Sequence, residues 1–332
     1  MNYKNPIKGV SAFDEKEYKT TKLIKSLVSE LVIALSQKFE HSLHTQIDPD
    51  VEISAYWERY GVRAFKPYFH KEKRDSWKHI STKYFQNYSK YQSDVRLSCQ
   101  LRSSFPLPEF LPRDDVKCTS EPYPECRFWP NHLGTTSRWE KPYCDPGYQT
   151  SDPYQFVYLS IISRCNRHIE YMERQFKPET VDDLLKYYGM NTAFISTVAQ
   201  AYNQGFNTLS ELTYPFTTQT ILTDGRLYSI YSYQLNTLHL WKDDKANPLR
   251  NFCFIQDKLP LYDTIENGEL KGFNDETLKA ILKCFLLKPV DRGCDLRPTI
   301  PTDSPDKSVS DGNIPKPVEQ IIIEHVEKFD ET

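Results

Sequence analysis

Residues 219–240 read QTILTDGRLYSIYSYQLNTLHL, and the fold prediction starts from this stretch. Two runs rich in β-branched and aromatic residues flank Asp224-Gly225, a strong signal for a β-hairpin. A type I′ turn needs positive φ at both central residues, which Asp tolerates and Gly adopts freely. This turn predicts that Leu222 pairs with Leu227, Ile221 with Tyr228 and Thr220 with Ser229.

The predicted register sorts the ribbon into two faces, and both are half apolar. One face carries Phe216, Thr218, Thr220, Leu222, Leu227, Tyr231, Tyr233 and Leu235. The other carries Gln219, Ile221, Tyr228, Ile230, Gln234, Asn236 and Leu238. Two interpretations are equally favoured: a sheet covered on both sides by this chain, or a sheet with one face docked on a partner. The candidates for partner docking are Tyr228, Tyr231, Tyr233 and Asn236.

Helical periodicity recurs on both sides of the ribbon. Gly205 is suited to end one helix in the left-handed conformation, and Asn274 is suited to cap the start of another. The predicted elements are helices at 14–39, 179–188, 191–204 and 274–288, short strand pieces within 51–101, and a third ribbon strand at 251–255. Helices flanking an antiparallel meander define an α+β fold.

Composition along the chain predicts four segments. Residues 1–104 form an N-terminal helix followed by a basic and aromatic region. Residues 105–153 contain nine prolines, which remove backbone donors, so this segment is predicted to wrap around the core without long regular elements. Residues 154–288 form the α+β core, and the acidic residues 289–332 are predicted to be disordered.

The net charge of -3 conceals a basic segment. The stretch from Trp57 to Tyr91 contains nine lysines and arginines but only three acids, and its basic residues are interleaved with aromatic ones. Cations neutralise phosphates and rings stack on unpaired bases, so this is the best nucleic-acid candidate. On the residues alone, a solvated charged face is the favoured alternative.

Eight unevenly spaced cysteines predict reduced thiols in an intracellular compartment rather than a disulfide framework. The apolar run 31–35 is too short to span a membrane. The first 58 residues contain no arginine and no secretory apolar stretch, so no targeting segment is predicted there.

Catalytic and metal chemistry have little support in the sequence, and neither an enzyme nor a cofactor is predicted. Cys118, Cys126, His132 and Cys144 lack the paired spacing of a zinc site, so packed thiols are expected instead. The pairs Asp182/Asp183 and Asp243/Asp244 suit a helix start and a turn, and His168 suits helix packing.

Three blocks carry a resemblance to a known family: YPFTTQTILTDGRLYSIYSYQLNTLHL at 214–240, NPLRNFCF at 247–254 and LYDTIENGELKGFNDETLKAIL at 261–282. The QLNTL, NP-R-N, LY-TIE and KGFND motifs occur in the same order in the programmed cell death protein 9 family. The chain closely resembles this family from Ala193 to Leu287.

The resemblance implies a structural, non-catalytic protein of the large subunit of the mitochondrial ribosome, in the matrix, near the stalk that handles departing tRNA. Its implied partners are mitochondrial rRNA, other large-subunit proteins and above all the sister-family paralogue. Family members usually begin with a longer region that includes a targeting segment. The alternative is a protein-binding or RNA-binding module outside the ribosome. With the resemblance, the rRNA-contact candidates are Arg59, Arg63, Lys66, Lys71, Lys73, Arg74, Trp77 and Lys78.

Overall fold

A computed structural model describes residues 12–60, 88–120, 143–242 and 245–298. The helices are α1 (Ala12–Ser36), α2 (Glu40–Leu43), α3 (Val116–Thr119), α4 (Arg167–Gln175), α5 (Pro178–Asn203) and α6 (Asp275–Leu286). The strands are β1 (Gln46–Tyr60), β2 (Tyr88–Ser103), β3 (Phe156–Ser163), β4 (Phe216–Thr223), β5 (Leu227–Leu235), β6 (Phe252–Pro260), β7 (Thr264–Glu266) and β8 (Glu269–Lys271). The chain divides into two compact units, Met1–Thr299 and Ile300–Thr332, and the second lies outside the described residues.

Six strands form one sheet in the order β1-β2-β3-β4-β5-β6, and β7 pairs separately with β8. Neighbouring strands in the six-stranded sheet are antiparallel except β3 and β4, which run parallel. The α+β prediction is confirmed, and the predicted meander corresponds to β4, β5 and β6. The parallel pair was not predicted; it follows from the long crossover through α4 and α5, which returns the chain in the same direction.

Helices of the same chain cover both faces of the sheet. On one face, α5 packs over strands that include β1, β4 and β5, and its cluster holds Tyr231 and Tyr233. On the other face, Tyr228 and Ile230 pack with Ile24 of α1 and with residues of α6. The alternation follows from the period of two along a strand. The structure therefore agrees with the first interpretation of the ribbon, in which this chain itself covers both sides of the sheet.

The prediction of two helices between 179 and 204 was wrong, because α5 is continuous through Gly189. A Cβ at Gly189 would lie 2.2 Å from ring atoms of Tyr231, so the missing side chain lets the helix approach the sheet. The predicted stop at Gly205 is confirmed, with a φ of 92°. Its N–H donates to Tyr202 O and that of Phe206 to Ala201 O, the two hydrogen bonds of a Schellman motif.

The predicted hairpin register was wrong by two residues. Leu222 pairs with Ser229 instead of Leu227, and Thr223 pairs with Tyr228. Residues 224–226 connect the two strands. Gly225 has a φ of 93°, whereas Asp224 is absent from the residues with positive φ, which excludes a type I′ turn. Asp224 Oδ1 instead accepts hydrogen bonds from the N–H groups of Arg226 and Leu227. A shift of two keeps the side chains within the strands on their predicted faces. Leu238, which follows the end of β5, packs with the cluster of Tyr231 instead of on its predicted face.

The N-terminal segment contributes two long strands to the same sheet. The predicted strand piece at 51–57 lies in β1, whose residues pair with β2 from Gln46 to Tyr60. Trp57 stacks on Tyr91 with ring centroids 5.6 Å apart and meets the ring of Phe194 edge-on at 5.1 Å. The start of the predicted tail, residues 289–298, also packs on the core rather than being disordered, through contacts described below. The four-segment division itself stays a prediction.

Candidate rRNA and protein interface

The basic segment comprises the end of β1, residues 61–87 and the start of β2. Tyr60 pairs with Tyr88, so the residues on either side of 61–87 are neighbours in the sheet. Trp57 and Tyr91, two of the aromatic residues of the segment, are buried in the core and are not free to stack on bases. Arg59 lies exposed at the end of β1. The other rRNA-contact candidates, Arg63, Lys66, Lys71, Lys73, Arg74, Trp77 and Lys78, lie outside the described residues.

The four docking candidates are buried within this chain. Exposed fractions are 5% for Tyr228, 0% for Tyr231, 7% for Tyr233 and 0% for Asn236. The hydroxyl of Tyr231 donates to Leu185 O of α5 at 3.3 Å. Their side chains therefore lie in the core instead of on a surface that a partner can reach.

The ribbon's amides bind the proline-rich segment to the sheet. Gln234 Oε1 accepts from the N–H groups of Phe110 at 2.8 Å and Leu111 at 3.2 Å, and Gln234 Nε2 donates to Leu111 O at 2.8 Å. Gln234 Nε2 also donates to Asn236 Oδ1, and Asn236 Nδ2 donates to Arg250 O. A segment without a regular partner strand has its backbone polar groups satisfied in this way.

A half-buried arginine, Arg292, anchors the residues that follow α6. Arg292 donates to Leu107 O, to Pro215 O at 2.6 Å and to Thr217 Oγ1 at 2.9 Å. Burial lowers the pKa of Arg292. The guanidinium thus joins the C-terminal segment, the proline-rich segment and β4 at one place.

Two further arginines act in the same manner on other segments. Arg113 donates to Leu212 O at 2.9 Å and to Asn236 O at 3.1 Å. Arg297 donates to Gln204 Oε1 at 2.8 Å and to Thr150 O at 3.3 Å. These cations are used to assemble the fold, a role that the sequence analysis missed because their carbonyl partners are distant in sequence.

Arg102 of β2 fixes the loop before β3. Its side chain is 3% exposed and forms ion pairs with Asp48 and, at 3.2 Å, with Asp152. It donates to Tyr154 O at 2.6 Å and lies 4.5 Å from the ring centroid of Tyr148. Burial opposes ionisation of Asp152, but hydrogen bonds from Arg102 and from the Tyr154 N–H outweigh it, so the pKa of Asp152 is lowered.

Most of the described thiols are packed inside the fold, whereas Cys294 is exposed. Burial raises the pKa of several of them: Cys99 to about 11, and Cys144, Cys253 and Cys284 each to about 12. A thiol is a nucleophile or a metal ligand only as the thiolate, so these groups are unsuited to either role at neutral pH.

The zinc and carboxylate candidates are only partly described. Cys118 and Cys144 are free thiols, and burial raises the pKa of both. Within the described ranges, no group of three or more His, Cys, Asp or Glu residues is arranged to hold a metal ion. Asp182 forms an ion pair with Lys258 at 2.5 Å, and Asp183 is exposed on α5. Outside the described residues or side chains lie Cys126, His132, His168, Asp243 and Asp244.

One exposed feature escaped the sequence analysis. Asn267 and Gly268 have φ values of 51° and 85° and join β7 to β8. Positive φ at both central residues is the type I′ arrangement that was expected at Asp224-Gly225. Asn-Gly between TIE and ELK was the available signal for it.

In the described residues, amides and guanidinium groups hold distant segments of the same fold together. The comparison with protein families matches residues 3–289 to the family described as mitochondrial 28S ribosomal protein S30 (PDCD9). The chain belongs to this family, and the family prediction is thereby confirmed. The description names the 28S, small, subunit, so it does not support the large-subunit assignment.

Among the helices of the described ranges, none combines the length and the apolar character that crossing a membrane requires.

Proposed function

We propose that this chain is a structural constituent of the mitochondrial ribosome in the matrix and supports mitochondrial translation through rRNA and protein contacts. The observation that carries this proposal is the family match over residues 3–289. The buried polar network supports a structural role, because its polar groups join parts of the fold to one another.

The rRNA contacts are assigned to Arg59 and to the loop that follows it. Between Tyr60 and Tyr88 the loop carries seven lysines and arginines against two acids. Both ends of the loop are held by strand pairing, which limits the freedom that binding would have to remove. Lysine and arginine neutralise rRNA phosphates, and Trp77 stacks on an unpaired base. Arg102, Arg113, Arg292 and Arg297 are used inside the fold, so they are not assigned to RNA.

The finer assignment is to the large subunit, next to the sister-family paralogue. It is what the resemblance carried by the QLNTL, NP-R-N, LY-TIE and KGFND motifs implies, and it differs from the subunit named in the family description. Sedimentation of dissociated mitochondrial ribosomes decides between the two. We expect the tagged chain in the large-subunit peak; its presence in the small-subunit peak overturns this assignment and leaves the ribosomal role intact.

A salt series tests the rRNA contacts. Replacing Arg63, Lys66, Lys73 and Arg74 with Gln should release the chain at lower salt and flatten the dependence of release on salt, because fewer counterions are displaced. The matched control replaces the exposed Lys16, Lys38, Lys245 and Lys283. Equal release of the two variants contradicts the assignment. A wild-type chain that sediments alone favours the binding module outside the ribosome.

A further inference from the structure

The hairpin formed by β7 and β8 stands apart from the six-stranded sheet. Its strands pair Thr264 with Lys271, Ile265 with Leu270 and Glu266 with Glu269. Every residue from 263 to 273 is exposed. We call residues 261–274 the acidic hairpin.

The base of the acidic hairpin is fixed to the core. Leu261 N donates to Arg226 O at 2.8 Å, and Asn274 N donates to Leu261 O at 2.8 Å. Arg226 Nε donates to Tyr262 O at 3.3 Å, and the Asn274 side chain caps α6. A three-pair hairpin has no core of its own and is marginal in water, so these contacts orient it before any partner arrives.

The acidic hairpin presents apolar side chains to solvent. Ile265 and Leu270, which face each other across the two strands, are 59% and 49% exposed, and Phe273 is 46% exposed. Exposed apolar side chains on an element that is held at its base are typical of a protein contact. Covering them stabilises a complex by removing apolar surface from water.

The charges around these side chains select the partner. The acidic hairpin contains three acids, Asp263, Glu266 and Glu269, and one base, Lys271. Asp275 and Glu276 follow in the first turn of α6, where Glu276 pairs with Lys279. Glu266 lies directly opposite Glu269, and like charges in that position repel. Lys271 pairs with Glu269 at 2.9 Å, and the ion pairs of the described residues provide no cation for Glu266. A cation from a partner would relieve this repulsion, whereas an RNA phosphate would increase it.

We propose that the acidic hairpin is a docking arm that places Ile265, Leu270 and Phe273 in an apolar depression rimmed by lysines and arginines on another ribosomal protein. The inference rests on the proposed ribosomal role. The chain's own tail does not suit the position, because residues 299–332 carry eight acids and three lysines. In this proposal two segments attach the chain to the ribosome: residues 61–87 bind rRNA, and the acidic hairpin binds protein.

Photocrosslinking in assembled ribosomes tests the docking arm. Ile265 is replaced by benzoylphenylalanine in the tagged full-length chain, which is irradiated after purification with mitochondrial ribosomes. We expect a crosslink to a lysine- and arginine-rich segment of a ribosomal protein. The same probe at Leu209, which is 54% exposed elsewhere on the chain, should not crosslink to that segment. A crosslink to rRNA, to residues 61–87 of this chain or to a second copy overturns the inference, as does the absence of any crosslink.

Two variants separate the apolar contribution from the charge contribution. Ile265→Ser with Leu270→Ser should weaken retention about tenfold, as expected for central interface residues. Glu266→Gln with Glu269→Gln removes a like-charge pair and should leave folding intact while making retention weaker and less dependent on salt. Leu209→Ser is the control. Retention of both hairpin variants equal to wild type overturns the docking arm, whereas failure of the wild-type chain to sediment with ribosomes overturns the proposed function as well.

Discussion

At the scale of single residues, the tyrosines and amides of the ribbon satisfy buried groups of the same chain. Gln234 forms three hydrogen bonds with the backbone of Phe110 and Leu111, and Asn236 is fully buried beside it. A buried polar group without a partner costs about 1–3 kcal/mol, so each amide is needed where it lies. This explains why a polar ribbon sits in the middle of a sheet.

Gly225 is subject to two constraints, and the first prediction separates them. Gly225→Val should destabilise the fold by about 1–3 kcal/mol, because a β-branched residue resists positive φ. A Cβ there would also lie 2.7 Å from Leu23 Cδ2. Chemical denaturation in wild-type and Leu23→Ala backgrounds checks this. We expect part of the loss to disappear in the second background and part to remain. Unchanged stability of Gly225→Val contradicts the turn geometry.

Asp152 provides a prediction about acid stability. The pKa of Asp152 is lower in the folded state than in the unfolded state, where it is about 3.9. The ionised carboxylate therefore stabilises the fold at pH values above the unfolded pKa. This stabilisation is lost as the pH falls through the folded pKa. Wild type should therefore exceed Asp152→Asn in unfolding free energy at pH 7. The difference should shrink below about pH 4. The control is Asp183→Asn, an exposed carboxylate. A difference that does not vary with pH contradicts the Arg102–Asp152 interaction.

At the scale of elements, arginine anchors take the place of strand pairing. The described parts of the proline-rich segment, residues 105–120 and 143–153, contain no long regular element that could attach by a ladder of hydrogen bonds. Arg113, Arg292 and Arg297 instead donate to carbonyl or amide oxygens of segments distant in sequence. A planar guanidinium with five donors is suited to joining several segments at once.

Among these three arginines, Arg292 donates hydrogen bonds to the largest number of residues: Leu107, Pro215 and Thr217. Arg292→Met keeps much of the volume but leaves Leu107 O and Pro215 O without this donor, so we expect a loss of about 2–4 kcal/mol in unfolding free energy. Arg292→Lys should recover only part of it, since an ammonium cannot span the same acceptors. The control is Arg174→Met, whose arginine side chain is 72% exposed. If Arg292→Met unfolds like the control, the C-terminal segment is not anchored there.

At the scale of the whole molecule, folding and rRNA binding are assigned to different parts of the chain. The sheet joins strands from residue 46 to residue 260, and its core is closed by α1, α5 and α6. The basic loop lies between two strands that already pair at Tyr60 and Tyr88. Its removal should therefore leave the sheet complete.

Loop replacement tests this separation. Residues 61–87 are exchanged for Asn-Gly, which closes a two-residue hairpin turn between β1 and β2. We expect a thermal midpoint close to wild type and a clear loss of salt-resistant ribosome association. A second variant keeps the length of residues 61–87 but replaces them with Gly and Ser, which removes the charges alone. We expect it to show the same thermal midpoint and the same loss of association as the Asn-Gly variant. Normal association of either variant contradicts the assignment of rRNA contacts to the loop.

The elements that could be predicted are those encoded by neighbouring residues. Asn274 caps α6 through hydrogen bonds to Glu276 and Thr277, and Gly205 ends α5 at the predicted position. The alternation that sorts the ribbon into two faces is also local, and it survived an error in register. Among the rRNA-contact candidates, Arg59 is exposed at the end of β1, and the assignment of rRNA contacts stays a prediction.

Long-range contacts decided the rest, because their partners lie too far apart in sequence for a pattern to reveal them. Asp224 caps the turn with its carboxylate instead of adopting positive φ, while Leu23 of α1 packs against Gly225. Tyr231 lies under Gly189 of α5, and Gln234 holds a segment more than 120 residues away. Helix caps and strand alternation depend on a few adjacent residues, whereas register, burial and anchoring depend on which distant surfaces exclude water together.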